Sequence, residues 1–357
     1  MRIAILGVGL IGGSIGLAAR ERCDGAEVVG FGRSEERLAR ALELGAIDSA
    51  AGSVEEALAG AGACFCCAPV GHLSEQVGAA LAAAPADCVV TDVGSIKRGI
   101  VGPIEDERFV GGHPIAGAET AGVDHGRADL FSGAVWYLTP TERSSGILYE
   151  RLHRIVAALG AHPVAIDADS HDRLLASVSH LPHVLANVLV TQAARALGQE
   201  DSALPRVGPS FRDATRVAGA NSAIWTDIYL ANRAAIADEV DALAASLAEV
   251  SRTLRAGDRA AIESWNEDAA ACRRRLLEAD LAGGVVHELR VTVPNRPGTV
   301  ARVALALGRA GVNIVDLALA PARDMRSGGI TLWIGGDEQA TRARELIGEL
   351  GYPVDPA

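Results

Sequence analysis

The chain has 357 residues, of which 49% are apolar and 22% charged, so it excludes wholesale disorder and has material for two or three buried cores. Its 33 basic and 45 acidic residues leave a net charge of −12, which argues against nonspecific binding to nucleic acid or anionic membrane surfaces. Forty glycines with 4% aromatics fit close helix–sheet packing better than an all-β protein, and six cysteines, three crowded at 64–67 and three scattered, make no disulfide framework.

The first strand is expected at Arg2–Leu6, followed by Gly7-Val-Gly9-Leu10-Ile11-Gly12 and a helix. Although residues 3–19 are apolar enough to raise the question of a signal peptide, five glycines interrupt them, and each weakens a helix by about 1 kcal/mol. Further strands are expected at Glu27–Phe31, Ala63–Cys67, Cys88–Asp92, Phe109–Gly112, Val135–Thr139 and His162–Ile166, with helices such as Glu35–Leu44 and Gly71–Ala84 between them. That alternation means an α/β doubly wound, mostly parallel sheet covered on both faces over residues 1–168. Cys64 and Cys67 sit in one of these strands, where alternating side chains part, so they read as small buried hydrophobes and no metal site is expected.

From 169 to 282 the strand signals stop and long helical patterns cover Ser170–Leu197, Ser222–Arg255 and Asp258–Ala279, an all-α unit suited to pairing with a second copy. Gly283-Gly284 marks a linker. Residues 285–357 then read β-α-β-β-α-β, a ferredoxin-like α+β order. No uninterrupted span reaches the 18 or more apolar residues of a membrane helix, and a reducing cytoplasm is the expected compartment.

The glycine-rich turn, placed between strand and helix, is built to hold a dinucleotide. The first glycine turns the chain, the second lets backbone approach a pyrophosphate, and the third lets helix and strand pack closely. The helix N-terminus supplies amide donors, so Gly7, Gly9, Leu10, Ile11 and Gly12 are the candidate cofactor contacts. The second strand ends in Gly32-Arg33-Ser34 instead of the Asp or Glu that accepts from a ribose 2′-OH. A cation and a hydroxyl suit a 2′-phosphate, which tilts the expectation toward NADP with NAD allowed.

Four motifs carry the remaining polar signal: Thr91-Asp-Val-Gly-Ser95-Ile-Lys97, Gly111-Gly-His113-Pro-Ile-Ala-Gly-Ala-Glu119, Ser170-His-Asp172 with Ser179-His180-Leu-Pro-His183, and Phe211-Arg-Asp213-Ala-Thr-Arg216 ahead of Trp225. At helical spacing, Asp172, Ser179 and His183 fall within about 40° of one another. Pro182 lacks an N–H and should kink the helix.

In this order the motifs resemble the prephenate dehydrogenase family of tyrosine biosynthesis over nearly the whole chain. Asn295-Arg-Pro297-Gly298 and Gly311-Val-Asn313-Ile314 resemble the regulatory turn and strand of an ACT domain. The resemblance implies oxidative decarboxylation of prephenate to 4-hydroxyphenylpyruvate, with arogenate as the alternative substrate. It implies a homodimer, and L-tyrosine as a possible allosteric ligand held near Asn295, Pro297, Gly298, Asn313 and Ile314. His113 matches the family's catalytic histidine and Ser95 the serine at the same centre. Arg216 matches the arginine that clamps a substrate carboxylate, while His183, Asp213, Asp172, Glu119 and Trp225 match residues in or around the substrate site. Other dehydrogenases of similar build use a catalytic lysine on a helix, and residues 169–282 contain no lysine. A non-catalytic amino-acid or redox sensor would have no use for a base such as His113.

Overall fold

The computed structural model describes residues 1–117, 120–197, 207–278, 286–321 and 327–355. The chain forms two compact units, Met1–His171 together with Gly284–Ala357, and Asp172–Gly283. In the first, β1 (Arg2–Leu6), β2 (Glu27–Phe31), β3 (Ser49–Ala50), β4 (Ala61–Cys66) and β5 (Val89–Asp92) form a five-stranded parallel sheet in the order β3-β2-β1-β4-β5. The connections run through α1 (Leu10–Arg22), α2 (Glu35–Glu43), α3 (Val54–Leu58) and α4 (Val70–Ala83). The strands are almost wholly apolar because helices bury both of their faces.

The expected single sheet is in fact two. After α5 (Arg98–Val101), β6 (Gly111–Pro114), β7 (Val135–Thr139) and β8 (His162–Ala165) form a separate three-stranded sheet. In it β6 runs antiparallel to β7, placing His113 directly across from Tyr137, while β7 and β8 are parallel. Among the described residues an isolated bridge, Val90 to Phe109, continues the first sheet, and the strand itself begins at Gly111, so His113 lies within it, not on a loop beyond it. The core beneath is aromatic, with Trp136 packed on Phe131 and Phe65 at centroid distances of 5.0 and 6.1 Å.

A buried ion pair pins the two sheets together. Asp92, at the end of β5, accepts from the Gly94 amide at 2.8 Å and from the Gly112 amide of β6 at 3.1 Å, and its carboxylate pairs with Lys97. Lys97, the only lysine in the chain, also donates to the Ile96 carbonyl at 2.9 Å, and neither side chain of the pair is exposed to solvent.

The C-terminal part follows the expected order: β9 (Val286–Pro294), α13 (Thr299–Arg309), β10 (Ile314–Pro321), β11 (Ser327–Gly335), α14 (Asp337–Glu349) and β12 (Val354–Asp355). Its antiparallel sheet, β10-β11-β9-β12, is docked tightly on α6 (Gly146–Ala158) and β8 of the nucleotide fold. Glycines allow that approach. A Cβ on Gly308 would lie 1.8 Å from the Ala165 carbonyl oxygen, and one on Gly298 would lie 2.1 Å from that of Glu142. One continuous apolar core runs from the first sheet through Tyr149 and Leu152 of α6 into Leu307 and Ile314. His153 is sealed into this junction.

The second unit is all-helical. A helix begun as α7 (Ala168–Leu175) continues through a π-turn, Ala176–His180, into α8 (Leu181–Leu197). The π-turn absorbs Pro182 where a kink is expected, since its wider ring, closed by Leu181 N–H on the Ala176 carbonyl, shifts the hydrogen-bond register just before the residue that cannot donate. It also changes the face. His180, not Ser179, joins Asp172 and His183 among the buried polar residues. Next come α9 (Pro209–Thr215), a short 3-10 turn (Arg216–Gly219), α10 (Ser222–Ala231), α11 (Arg233–Ala256) and α12 (Arg259–Glu278). The expected single helix over 222–255 is broken at Asn232. There the side chain donates to the Asp172 carbonyl at 2.7 Å and lies 3.3 Å from His180 Nδ1. By length and composition alone the helix Ala168–Ala196 could cross a bilayer, but Asp172, His180 and His183 along it are buried among polar partners of the protein itself.

Two measurements follow from these burials. Removing the cation of the buried pair by Lys97→Met strands a carboxylate and should cost about 3–5 kcal/mol in urea unfolding. A cost below about 1 kcal/mol, the scale of an exposed pair, would contradict the pairing. Burial pushes the His153 imidazole down to about 4, against the opposing pull of Asp316. The unfolded chain therefore binds the proton first, and stability should fall as pH drops from about 6.5 toward about 4, by about 1.4 kcal/mol per pH unit. His153→Gln should flatten that slope.

Candidate active site

The parallel strands β1, β4 and β5 end on one edge of the sheet, where doubly wound folds take ligands. Gly7, at the end of β1, has φ +102°, and a Cβ there would lie 3.0 Å from the Cys67 carbonyl oxygen. A Cβ on Gly12 would lie 2.2 Å from the Gly7 carbonyl oxygen, whereas Gly9 faces open space. The turn is thus a backbone cradle that demands glycine at 7 and 12 and leaves the approach over Gly9 open, and α1 opens at Leu10 with no side chain capping its first amides. Those amides with Gly9, Leu10 and Ile11 suit a pyrophosphate. Arg33 is exposed at the end of β2, while the Ser34 hydroxyl accepts from the Arg37 amide at 3.3 Å and caps α2.

On the same edge the turn after β5 carries Ser95, half-buried. The Asp92 carboxylate, held by Lys97, grips the Gly112 amide and so fixes the strand immediately before His113. His113 is 9% exposed, and its Nδ1 lies 2.9 Å from Nε2 of His171, a fully buried residue in the first turns of α7. Tyr137, across the strand pair from His113, meets the His171 ring edge-on at 5.7 Å. Sequence motifs singled out Ser95 and His113 but gave no role to Asp92, Lys97 or His171. A signal for Lys97 was nonetheless present, in a chain that uses arginine everywhere else.

In the helical unit the rings of His183 and Trp225 stack at 3.5 Å with 5° between their planes. His183 Nδ1 contacts the Tyr229 hydroxyl, and the Asn187 amide lies 3.3 Å from the same nitrogen. Burial lowers the His183 imidazole below its ordinary value, while the Val217 carbonyl facing it works the other way. That carbonyl belongs to the 3-10 turn carrying Arg216, which therefore lies beside His183, although the His183 Nε2 is buried without a hydrogen-bond partner among the described residues. Arg216 and Asp213 are exposed, and Asp172 is buried beside Asn232. Tyr229, Asn187 and Asn232 complete this cluster and were not anticipated from the sequence.

Glu119 lies outside the described residues. In the C-terminal fold, Gly298 has φ +79° at the start of α13, Pro297 and Asn295 precede it, and Ile314 is buried at the start of β10. The Asn313 amide donates to Gln339 Oε1 at 3.1 Å, and its own side-chain oxygen is buried without a hydrogen-bond partner among the described residues.

Family models match three successive stretches: the nucleotide-binding domain of prephenate dehydrogenase over residues 15–165, the dimerization domain of prephenate dehydrogenase over 167–266, and the ACT domain over 287–334. The prephenate dehydrogenase of Bacillus subtilis is 28% identical over 354 residues, covering 97% of this chain and 95% of that one. The cyclohexadienyl dehydrogenase of Zymomonas mobilis is 32% identical, over 72% of this chain and 89% of its own length. Among solved structures, the prephenate dehydrogenase of A. aeolicus in complex with hydroxyphenyl propionate and NAD+ superposes with a TM-score of 0.70 at 27% identity, covering 77% of this chain and 98% of that one. A Rossmann-type sheet, an all-helical dimerisation domain and a C-terminal ACT domain, matched in that order and along almost the full length of a curated relative, show that the chain belongs to the prephenate dehydrogenase family.

Proposed function

We propose that the chain oxidises and decarboxylates prephenate to 4-hydroxyphenylpyruvate, with NAD(P)+ as acceptor, through three domains at residues 1–168, 169–282 and 285–357. The observation that carries the reading is the buried imidazole of His113, set on a strand that Asp92 and Lys97 fix, on the ligand-binding edge of the sheet. When bound, the nicotinamide supplies the acceptor for the hydrogen and electron pair leaving C4 of the substrate ring. His113 takes the hydroxyl proton as that pair departs, because a neutral imidazole is a competent base near neutral pH. Ser95 hydrogen-bonds the same oxygen. The carboxylate across the ring leaves as CO₂, its bonding electrons completing the aromatic ring. The overall equation releases no proton, so His113 returns the one it borrowed to the phenol.

Arg216 holds a substrate carboxylate with its planar fork, a task for which lysine is a poor substitute. His183 and Trp225, with Asp172, Asp213 and Glu119, position the ring and its tail. Arogenate, which has an alanyl in place of a pyruvyl tail, is the alternative substrate, in keeping with the cyclohexadienyl dehydrogenase relative. Arg33, with no carboxylate at Gly32, favours NADP. The match to a dimerization domain supports a homodimer. The Asn313 side-chain oxygen, buried and without a hydrogen-bond partner among the described residues, supports an amino-acid ligand in the ACT domain, whose ammonium it would accept from. L-tyrosine, the amino acid downstream of the product, is the ligand of choice.

In steady-state assays with both substrates and both nicotinamides, His113→Asn should lower kcat by about 10²–10⁴ with folding retained. Arg216→Ala should chiefly raise KM for prephenate. Near-normal turnover in the first variant would remove His113 from the chemistry, and a strong NAD preference would remove the role given to Arg33. L-Tyrosine should inhibit the whole chain, and Asn313→Ala should abolish that inhibition while leaving uninhibited turnover intact. Inhibition that survives the substitution would place the regulatory contact elsewhere.

A further inference from the structure

We infer that His171 is the positioning residue for His113, fixing its proton on Nδ1 so that Nε2 presents the lone pair that takes the substrate proton. The inference rests on the reading of His113 as the base. The two rings meet edge to face, with centroids 5.1 Å apart and planes at 67°, and Nδ1 of His113 lies 2.9 Å from Nε2 of His171. One nitrogen of that contact must carry the hydrogen and the other must accept it.

If His171 were the donor, the neutral His113 would carry its own hydrogen on Nε2 and could only donate to the substrate oxygen. The base role therefore requires His113 Nδ1–H to donate to His171 Nε2. After proton uptake the same bond persists, now with an imidazolium donor and a neutral acceptor, which strengthens it.

Such a bond calls for a neutral His171. Its backbone amide bonds the Asp167 carbonyl at 2.9 Å in the first turn of α7, and the positive end of a helix disfavours a second imidazolium there. Two cationic imidazoles in contact would also repel, so the pair carries at most one added proton. Three acidic residues on the adjoining segments are paired with cations, Asp92 with Lys97, Asp169 with Arg98 at 2.6 Å and Asp167 with Arg309 at 3.1 Å, and Asp172, the residue after His171 in the chain, is itself buried. Tyr137 packs edge-on against His171 and holds the ring in place.

The test is kinetic, with His171→Leu and His171→Gln in the whole chain. Leucine removes the acceptor. It should lower kcat by about 10–100-fold with KM within about twofold, and move the acid limb of the kcat profile about one pH unit lower as a charge-assisted bond is lost. Glutamine restores an acceptor oxygen and should recover both the limb and most of kcat. Unchanged kcat and an unmoved limb in the leucine variant would overturn the proposal, as would equal losses in both folded variants. A readout that needs no substitution at 171 is the ¹⁵N spectrum of histidine-labelled protein above the titration, with His113 assigned through His113→Asn. Hydrogen on Nδ1 of His113 is expected, and hydrogen on Nε2 would overturn the inference even if neither variant folds. If His113→Asn turns over normally, the base itself is misassigned. If it is inactive while His171→Leu is not, only the role of His171 fails.

Discussion

The carboxylate of Asp92 is buried with no exposure, and its satisfaction sets the geometry of everything around it. It has acceptor sites for several donors and fills them with the Gly94 amide, the Gly112 amide and the ammonium of Lys97. Each bond ties a different piece of chain: the turn holding Ser95, the strand holding His113, and the start of α5. A buried pair of this kind adds little net stability over an apolar replacement, but it is unforgiving of a missing partner. It therefore acts as a registration device between two sheets that pack on a common apolar core and are bridged backbone to backbone, among the described residues, at Val90 and Phe109.

A similar economy governs the ACT domain. Its helix α13 meets the nucleotide fold through glycines that let backbone touch backbone, and the apolar core is continuous across the junction. The turn at Gly298 abuts Glu142, a few residues before α6, and α6 runs beneath β10. The Asn295–Gly298 turn and Asn313 therefore lie on elements packed against the nucleotide fold.

Much of this was legible in the sequence where local rules suffice. The glycine turn is dictated by backbone space, so Gly7 and Gly12 announce themselves, and buried strands read as apolar runs. The C-terminal β-α-β-β-α-β order came from period and punctuation alone. Features that depend on distant partners could not be read this way. The break at Asn232 arises because its amide finds the Asp172 carbonyl sixty residues away. The π-turn before Pro182 swaps His180 for Ser179 on the buried face, which regular helical spacing cannot foresee. The expected strand Phe109–Gly112 stops just short of His113, whereas the Asp92 anchor and Tyr137 opposite keep the chain extended through it. His171 stood in a noted motif without a role, since its partner lies on another element.

The central claim is that one imidazole, held from behind by a second, meets the oxygen of the substrate ring. A crystal structure of the whole chain with NAD(P)+ and 4-hydroxyphenylpyruvate tests it most directly. Nε2 of His113 should lie about 2.6–3.2 Å from the phenolic oxygen, with Nδ1 still on His171. A product whose phenol is bonded to other groups, with His113 turned away from it, would contradict the account.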